Sequence, residues 1–238
     1  MSTSELTFTG GAASLLTALQ LGDAFFPSGR YTLSHGIERF AELGRLKTPA
    51  QLEALLSDYI EAIIGPSEAC AAAETVRAFG EGDFEKILGI DQHLWGMKLA
   101  WEGALNSQRT GRSLVKLTAS LTDNALAARY GEEALNDRTP GNFAVAFGCL
   151  AASLGLGPEE AALVELYSFV ANVLGASLRL IRLDHTQAQL IYMHLKPLLV
   201  KAAEDAANQS YLDMWSFAPT IEIMQMQHER SHLRMFAS

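Results

Sequence analysis

The stretch PEEAALVELYSFVANVLGASLRLI, Pro158 to Ile181, decides the fold. Its apolar positions Leu163, Leu166, Tyr167, Val170, Val173, Leu174, Leu178 and Ile181 recur at helical spacing. They make a stripe too wide for a half-exposed surface helix, so this helix is expected to cross the centre of the molecule. Arg179 and Arg182 sit at its end, where cations suit the negative pole of a helix dipole. Beyond them, Asp184-His185-Thr186-Gln187 offers a cap with Gln at the third helical position. It leads a long helix through Ile191 and Leu195 to about Ala207, with Pro197 as an expected kink. Upstream, Thr139-Pro140 opens a helix ending near Gly155. Thr48-Pro49-Ala50-Gln51 opens another, whose Leu52, Leu55, Leu56, Tyr59, Ile60, Ile63 and Ile64 line one face until Gly65-Pro66 stops it. Pro66-Ser67-Glu68 then opens an alanine-rich helix to Gly80. With no sustained alternation, no hairpin signal and no fixed-period repeat, the reading is all-α. We expect a single-domain multi-helix bundle around a broad apolar central helix. No linker divides residues 1–238, but residues 1–12 and 208–238 are weakly patterned and are expected to be mobile alone.

Of 238 residues, 49% are apolar and 19% charged, against roughly 25% charged in an ordinary soluble domain. This leftover apolar surface points to protein partners. The net charge of −9 comes with no Lys/Arg cluster, which excludes the electrostatic footprint of a nucleic-acid binder. Cys70 and Cys149 lie in alanine-rich helical stretches without C-x-x-C spacing and read as buried free thiols in a reducing compartment. The start lacks the basic run of a signal peptide, and the apolar run from Phe143 to Gly157 falls short of the roughly 20 residues of a membrane span. A soluble cytoplasmic protein with no membrane partner is expected.

His228-Glu229-Arg230-Ser231-His232 matches H-E-x-x-H, the helix-borne zinc pair of metalloproteases. A catalytic zinc normally takes three protein ligands, and no His, Asp, Glu or Cys follows His232, so an HExxH hydrolase is the enzymatic alternative rather than the main reading. Phosphate-cradling glycine loops are missing. Two segments are stranger than packing demands. In the first, Phe25 to Glu38, a Pro-Ser-Gly turn interrupts a helix and Gly36 sits where a helix prefers a side chain. It is either a tight corner or a place of close backbone approach. The second, from Trp215 through Phe217, Ile221, Ile223, Met224 and Met226 to Met235 and Phe236, is rich in residues that bury area adaptably. It is either a docking segment or a terminal helix folded onto its own core.

At these segments the sequence resembles the UreF family of urease accessory proteins. Phe26 to Glu38 is similar to that family's P-x-G-x-[FY]-[ST]-x-S-x-G-[LI]-E block, and Ser107, Gly111, Arg112 and Leu114 to its S-x-x-x-G-R-x-L. Phe143 to Gly148 is similar to its apolar stretch, and Arg179 to Gln189 resembles R-L-[IV]-P-L-G-Q-T-x-G-Q. Arg182, Asp184, His185 and Ala188 stand where Pro, Gly, Gln and Gly are usual. His228-Glu229 matches the family's own H-E before an R-L-F-R-S ending, here Arg234 to Ser238 with Ala237 for Arg. The resemblance implies an all-α homodimer without catalysis or cofactor of its own. It implies a bridge between the UreD/UreH protein and the UreG GTPase on apo-urease, with nickel and GTP handled by those partners; an unrelated helical adaptor is the remaining alternative. It also implies UreD/UreH docking at Glu222, His228, Glu229, Arg230, Arg234 and Phe236. Tyr31, His35, Glu38 and Gln187 are implied as further partner or dimer contacts.

Overall fold

A computed structural model describes residues 11–23, 25–230 and 235–236, which form helices and turns with no strand among them. In chain order these are α1 (Gly11–Gly22), a 3-10 turn (Arg30–Thr32), α2 (Ile37–Glu42), α3 (Pro49–Tyr59), a π-helical segment (Ile60–Ala69) and α4 (Cys70–Glu81). There follow α5 (Phe84–Gly96), α6 (Trp101–Leu121), α7 (Ala125–Leu135), α8 (Phe143–Ser153), α9 (Pro158–Leu180), α10 (His185–Asn208), a second 3-10 turn (Tyr211–Asp213) and α11 (Pro219–His228). The fold is all-α, as the periodicity predicts. Of the N-terminal segment expected to be mobile, residues 1–10 lie outside the described residues.

The central helix is α9. Leu166, Phe169, Val170 and Val173 are wholly enclosed, and the helix packs against α10, α4, the π segment and α1. By length and composition it could cross a membrane, but 61% of its apolar window is buried inside the fold. Of the predicted stripe, Tyr167 lies at the edge, half exposed beside the end of α1, while Val164, Phe169 and Ala176, outside that stripe, are buried as well. Helix α8 is apolar all round and is enclosed between α4 and α6, with every residue from Phe143 to Ala151 buried. Both free thiols, Cys70 and Cys149, are buried.

The two predicted capping boxes form. Thr48 Oγ1 accepts from the Gln51 N–H at 3.3 Å, and Asp184 Oδ1 accepts from the Gln187 N–H at 2.8 Å. Two boundaries differ from expectation. Gly65-Pro66 does not stop α3: the chain continues helically into α4 by widening to i→i+5 geometry over Ile60–Ala69. That widening accommodates a proline whose ring would collide with the i−4 carbonyl of an α-helix. Helix α8 begins at Phe143 rather than at Thr139-Pro140. The fully buried Asp91 of α5 accepts from Thr139 Oγ1 (2.7 Å) and from the N–H groups of Gly141 (2.8 Å) and Asn142 (2.9 Å), holding this stretch as a turn.

Candidate functional site

The loop from Phe25 to Gly36 folds inward around one cation. Gly29 takes a left-handed conformation (φ +77°), and after it Arg30 turns into the core, where Nη1 donates to both Glu165 oxygens at 2.9 and 2.8 Å. Its guanidinium lies 4.5 Å from the centre of the Phe143 ring. Burial raises the Glu165 carboxyl above the ordinary range despite this partner. His35 has φ +53°, uncommon for a residue with a side chain. The Tyr59 hydroxyl and Gln225 Nε2 both donate to its carbonyl, and its ring meets Phe169 edge-on at 5.0 Å. Burial, reinforced by Arg30 and Lys98, pushes the imidazole down to about 3. Gly36 follows at φ +86°, and a Cβ there would lie 2.9 Å from Gln225 Cγ and 3.3 Å from its backbone nitrogen. Both readings of this glycine therefore hold: it is a tight corner, and it is where the backbone of α11 comes close.

The end of the chain is fastened to this corner. His228 is fully buried, with Nε2 3.0 Å from Glu38 Oε2 on α2 and Nδ1 3.0 Å from Glu102 Oε2 on α6. The ring can donate to both carboxylates only when both nitrogens carry hydrogen. Glu229 Oε1 accepts from the Glu102 N–H at 2.9 Å, placing a carboxylate at the positive pole of α6. The N–H groups of Met235 (2.6 Å) and Phe236 (3.1 Å) donate to Glu38. Phe236 is buried, and Arg179 lies between two rings, 4.4 Å from Phe236 and 5.0 Å from Tyr31. Ile221 and Met224 of α11 face the body, whereas Ile223, Met226 and Met235 face outward.

Between α11 and the body lies a cavity of about 120 Å³ whose wall includes His35, Glu102, Asn106, Glu222, Gln225 and His228. Burial raises the Glu222 carboxyl. The structure thus gathers Tyr31, His35, Glu38, Glu222, His228, Glu229 and Phe236 around one helix. Arg230 is exposed just beyond it, and Arg234 lies outside the described residues. Gln187 is occupied by its own cap at the start of α10. Sequence reasoning missed Glu102 and Gln225, which carry no motif, and gave Arg179 only a dipole role.

The H-E-x-x-H reading loses its geometry here. Both ring nitrogens of His228 face carboxylates, Glu229 caps a helix, and His232 lies outside the described residues. Among the described residues no group of three or more His, Cys, Asp or Glu is placed to hold a metal ion.

A family profile described as UreF matches residues 46–196. The chain belongs to the UreF family. It is 29% identical over 223 residues to the urease accessory protein UreF of Trichodesmium erythraeum, covering 94% of this chain and 96% of that one. It is 31% identical to urease accessory protein UreF 2 of Brucella canis, with 93% and 91% covered. UreF of Yersinia pestis is 25% identical, with 95% and 99% covered. The UreF-like S-x-x-x-G-R block acquires a physical meaning. Ser107 Oγ accepts from the Phe143 N–H at 3.2 Å, and a Cβ on Gly111 would collide with the Gly141 carbonyl oxygen. The block is where α6 crosses the turn into α8.

Proposed function

We propose that this chain is a non-catalytic accessory subunit in urease maturation that joins UreD/UreH to the UreG GTPase on apo-urease while nickel is delivered. Membership of the UreF family supports the coarse role. The observation that carries the finer one is the C-terminal segment. Buried polar bonds at Glu38, Glu102, His228 and Glu229 hold α11 against α2 and α6, yet Ile223, Met226 and Met235 are turned outward. A prepositioned helix with exposed Ile and Met side chains is what a docking partner can bury without having to order it first. Nickel and GTP are cargo and substrate of the partners, and this chain contributes by binding one partner state better than another, which is how a ligand shifts an equilibrium.

A homodimer fits a second exposed face. Helix α1 carries no charged residue and turns Leu15, Leu16 and Leu19 to the surface; Phe25 is exposed beyond its end, and Tyr167 of α9 touches that end at Gly22. With Cys70 and Cys149 as buried free thiols, we place the protein in the cytoplasm.

Deleting residues 219–238 is expected to abolish capture of UreD/UreH and urease activation in cells. Ile223→Asp with Met226→Asp, which touches only the outward face, is expected to weaken capture while leaving helicity and thermal midpoint unchanged. Normal capture by the double variant, or normal activation by the truncated chain, removes the docking reading.

A further inference from the structure

The strap that leads from α10 to α11, Gln209 to Ala218, is laid along the long helix formed by α3, the π segment and α4, and runs against its direction. Three backbone N–H groups mark the track. Tyr211 donates to Glu74 Oε2 at 3.4 Å, Trp215 to the Pro66 carbonyl at 3.3 Å and Phe217 to the Ala62 carbonyl at 2.9 Å. The last two acceptors are backbone oxygens in the middle of a helix, which in an ordinary α-helix are already engaged by the N–H four residues on.

Their availability follows from the sequence. The residue four beyond Ala62 is Pro66, which has no N–H to give. The residue four beyond Pro66 is Cys70, whose N–H is drawn to the Ser67 carbonyl instead. Ser67 Oγ donates to the Ile63 carbonyl at 2.6 Å, so that neighbouring oxygen is satisfied locally. Gly65 allows the widened turn, since a Cβ there would lie 2.5 Å from the Ile60 carbonyl oxygen. A carbonyl oxygen has two lone pairs, so the Ala62 and Pro66 oxygens, released from the i+4 donors of an α-helix, can accept from the strap's N–H groups beside the i→i+5 bonding of the π segment.

We propose that Gly65-Pro66 is a positioning element: the π segment it creates presents the Ala62 and Pro66 carbonyls as a clasp that fixes the strap and, through it, sets α11 for partner docking. The proposal rests on the docking reading above for its functional half. Ser216 of the strap helps wall the cavity beneath α11, while Trp215 and Phe217 on either side point outward, half and mostly exposed. The strap is held at its start by Tyr211, whose ring meets His93 edge-on, and by the buried Met214, and beyond them by its backbone, while the Trp215 and Phe217 side chains do little of the fastening.

The test is residue-resolved amide hydrogen exchange on the full chain, with capture of UreD/UreH measured in parallel. In the unaltered protein the Phe217 amide is expected to be protected. Pro66→Ala supplies an N–H that competes for the Ala62 carbonyl, and is expected to lower Phe217 protection at least about tenfold while the helix content is kept. Phe217→Pro removes the donor and leaves the π segment untouched, so it should weaken capture to the same degree. Phe217→Ala keeps the donor, and the amide at that position should stay as protected as in the unaltered protein. A freely exchanging Phe217 amide in the unaltered protein, or unchanged protection in Pro66→Ala, overturns the clasp. Lost protection with undiminished capture in Pro66→Ala overturns its positioning role. If deletion of residues 219–238 also leaves capture intact, the docking reading itself fails, and the exchange data still judge the clasp independently.

Discussion

His35 illustrates how much a single residue's surroundings change its chemistry. From the sequence it is one more histidine in a loop rich in hydroxyls. In the fold its carbonyl is the acceptor that ties Tyr59 and Gln225 to the corner, and its ring is held neutral by burial beside Arg30 and Lys98, with its pKa pushed from 6.5 to about 3. Because the folded value lies below the unfolded one, the unfolded chain takes up a proton that the native state refuses as the pH falls below 6.5. Stability from this residue is thus complete above that pH and is lost progressively towards about 3. His35→Asn, which tolerates the positive φ, is expected to flatten the decline in urea midpoint between about pH 6.5 and 5, above the range in which carboxylates titrate. A pH profile identical to that of the unaltered protein would falsify the assignment. The two neighbouring glutamates show the limit of reading residues singly. Glu38 was legible from its motif, but its partner Glu102 was not, because the pairing exists only once α2, α6 and α11 meet around His228.

Helices announced by local chemistry were legible at the level of elements, and those set by distant groups were not. The Thr48 and Asp184 boxes are complete within four residues of sequence, so the starts of α3 and α10 can be read directly. The start of α8 cannot, since its cap is a carboxylate on α5, far away in the chain. Asp91 is fully enclosed and serves Thr139, Gly141 and Asn142 at once, while Asn142 Nδ2 returns a hydrogen bond to Asp91 Oδ1 at 2.8 Å. Asp91→Ala strands two buried backbone N–H groups, and is expected to cost about 3 kcal/mol or more in urea denaturation. Asp91→Asn, which keeps one acceptor oxygen, should cost less. Equal stability of the alanine variant and the parent would show that water replaces the carboxylate there. Gly65-Pro66 escapes a sequence reading for a related reason. The rule that proline ends a helix assumes α geometry, and it gives way when the turn widens to i→i+5, with the Ala62 and Pro66 carbonyls accepting from the strap as well.

Across the whole molecule, the apolar surplus of the composition divides between an interior and two outward faces. The interior takes the larger part, in α8, α9 and their neighbours, and it was legible because those apolar runs are long and periodic. The C-terminal face was legible as an oddity of composition, although its attachment by buried hydrogen bonds at Glu38, Glu102 and His228 was not. The α1 face could not be read at all as a surface, since GAASLLTALQLG has the same composition as a core helix and only its packing on α9 leaves Leu16 and Leu19 67% and 62% exposed. A face of that kind on a lone chain is an aggregation risk, and a symmetric contact removes it by setting the same patch against itself. A stable dimer needs about 800 Å² from each copy, so leucines on one helix need the neighbouring Phe25 and Tyr167 as well. Leu16→Glu with Leu19→Glu puts two like charges in the centre of that patch on each copy. It is expected to convert a dimer into a folded monomer in sedimentation equilibrium, with unchanged helicity and with capture of UreD/UreH retained at α11. Persistence of the dimer in the double variant would move the self-contact elsewhere on the surface, and a parent chain that sediments as a monomer at micromolar concentration would remove the dimer reading altogether.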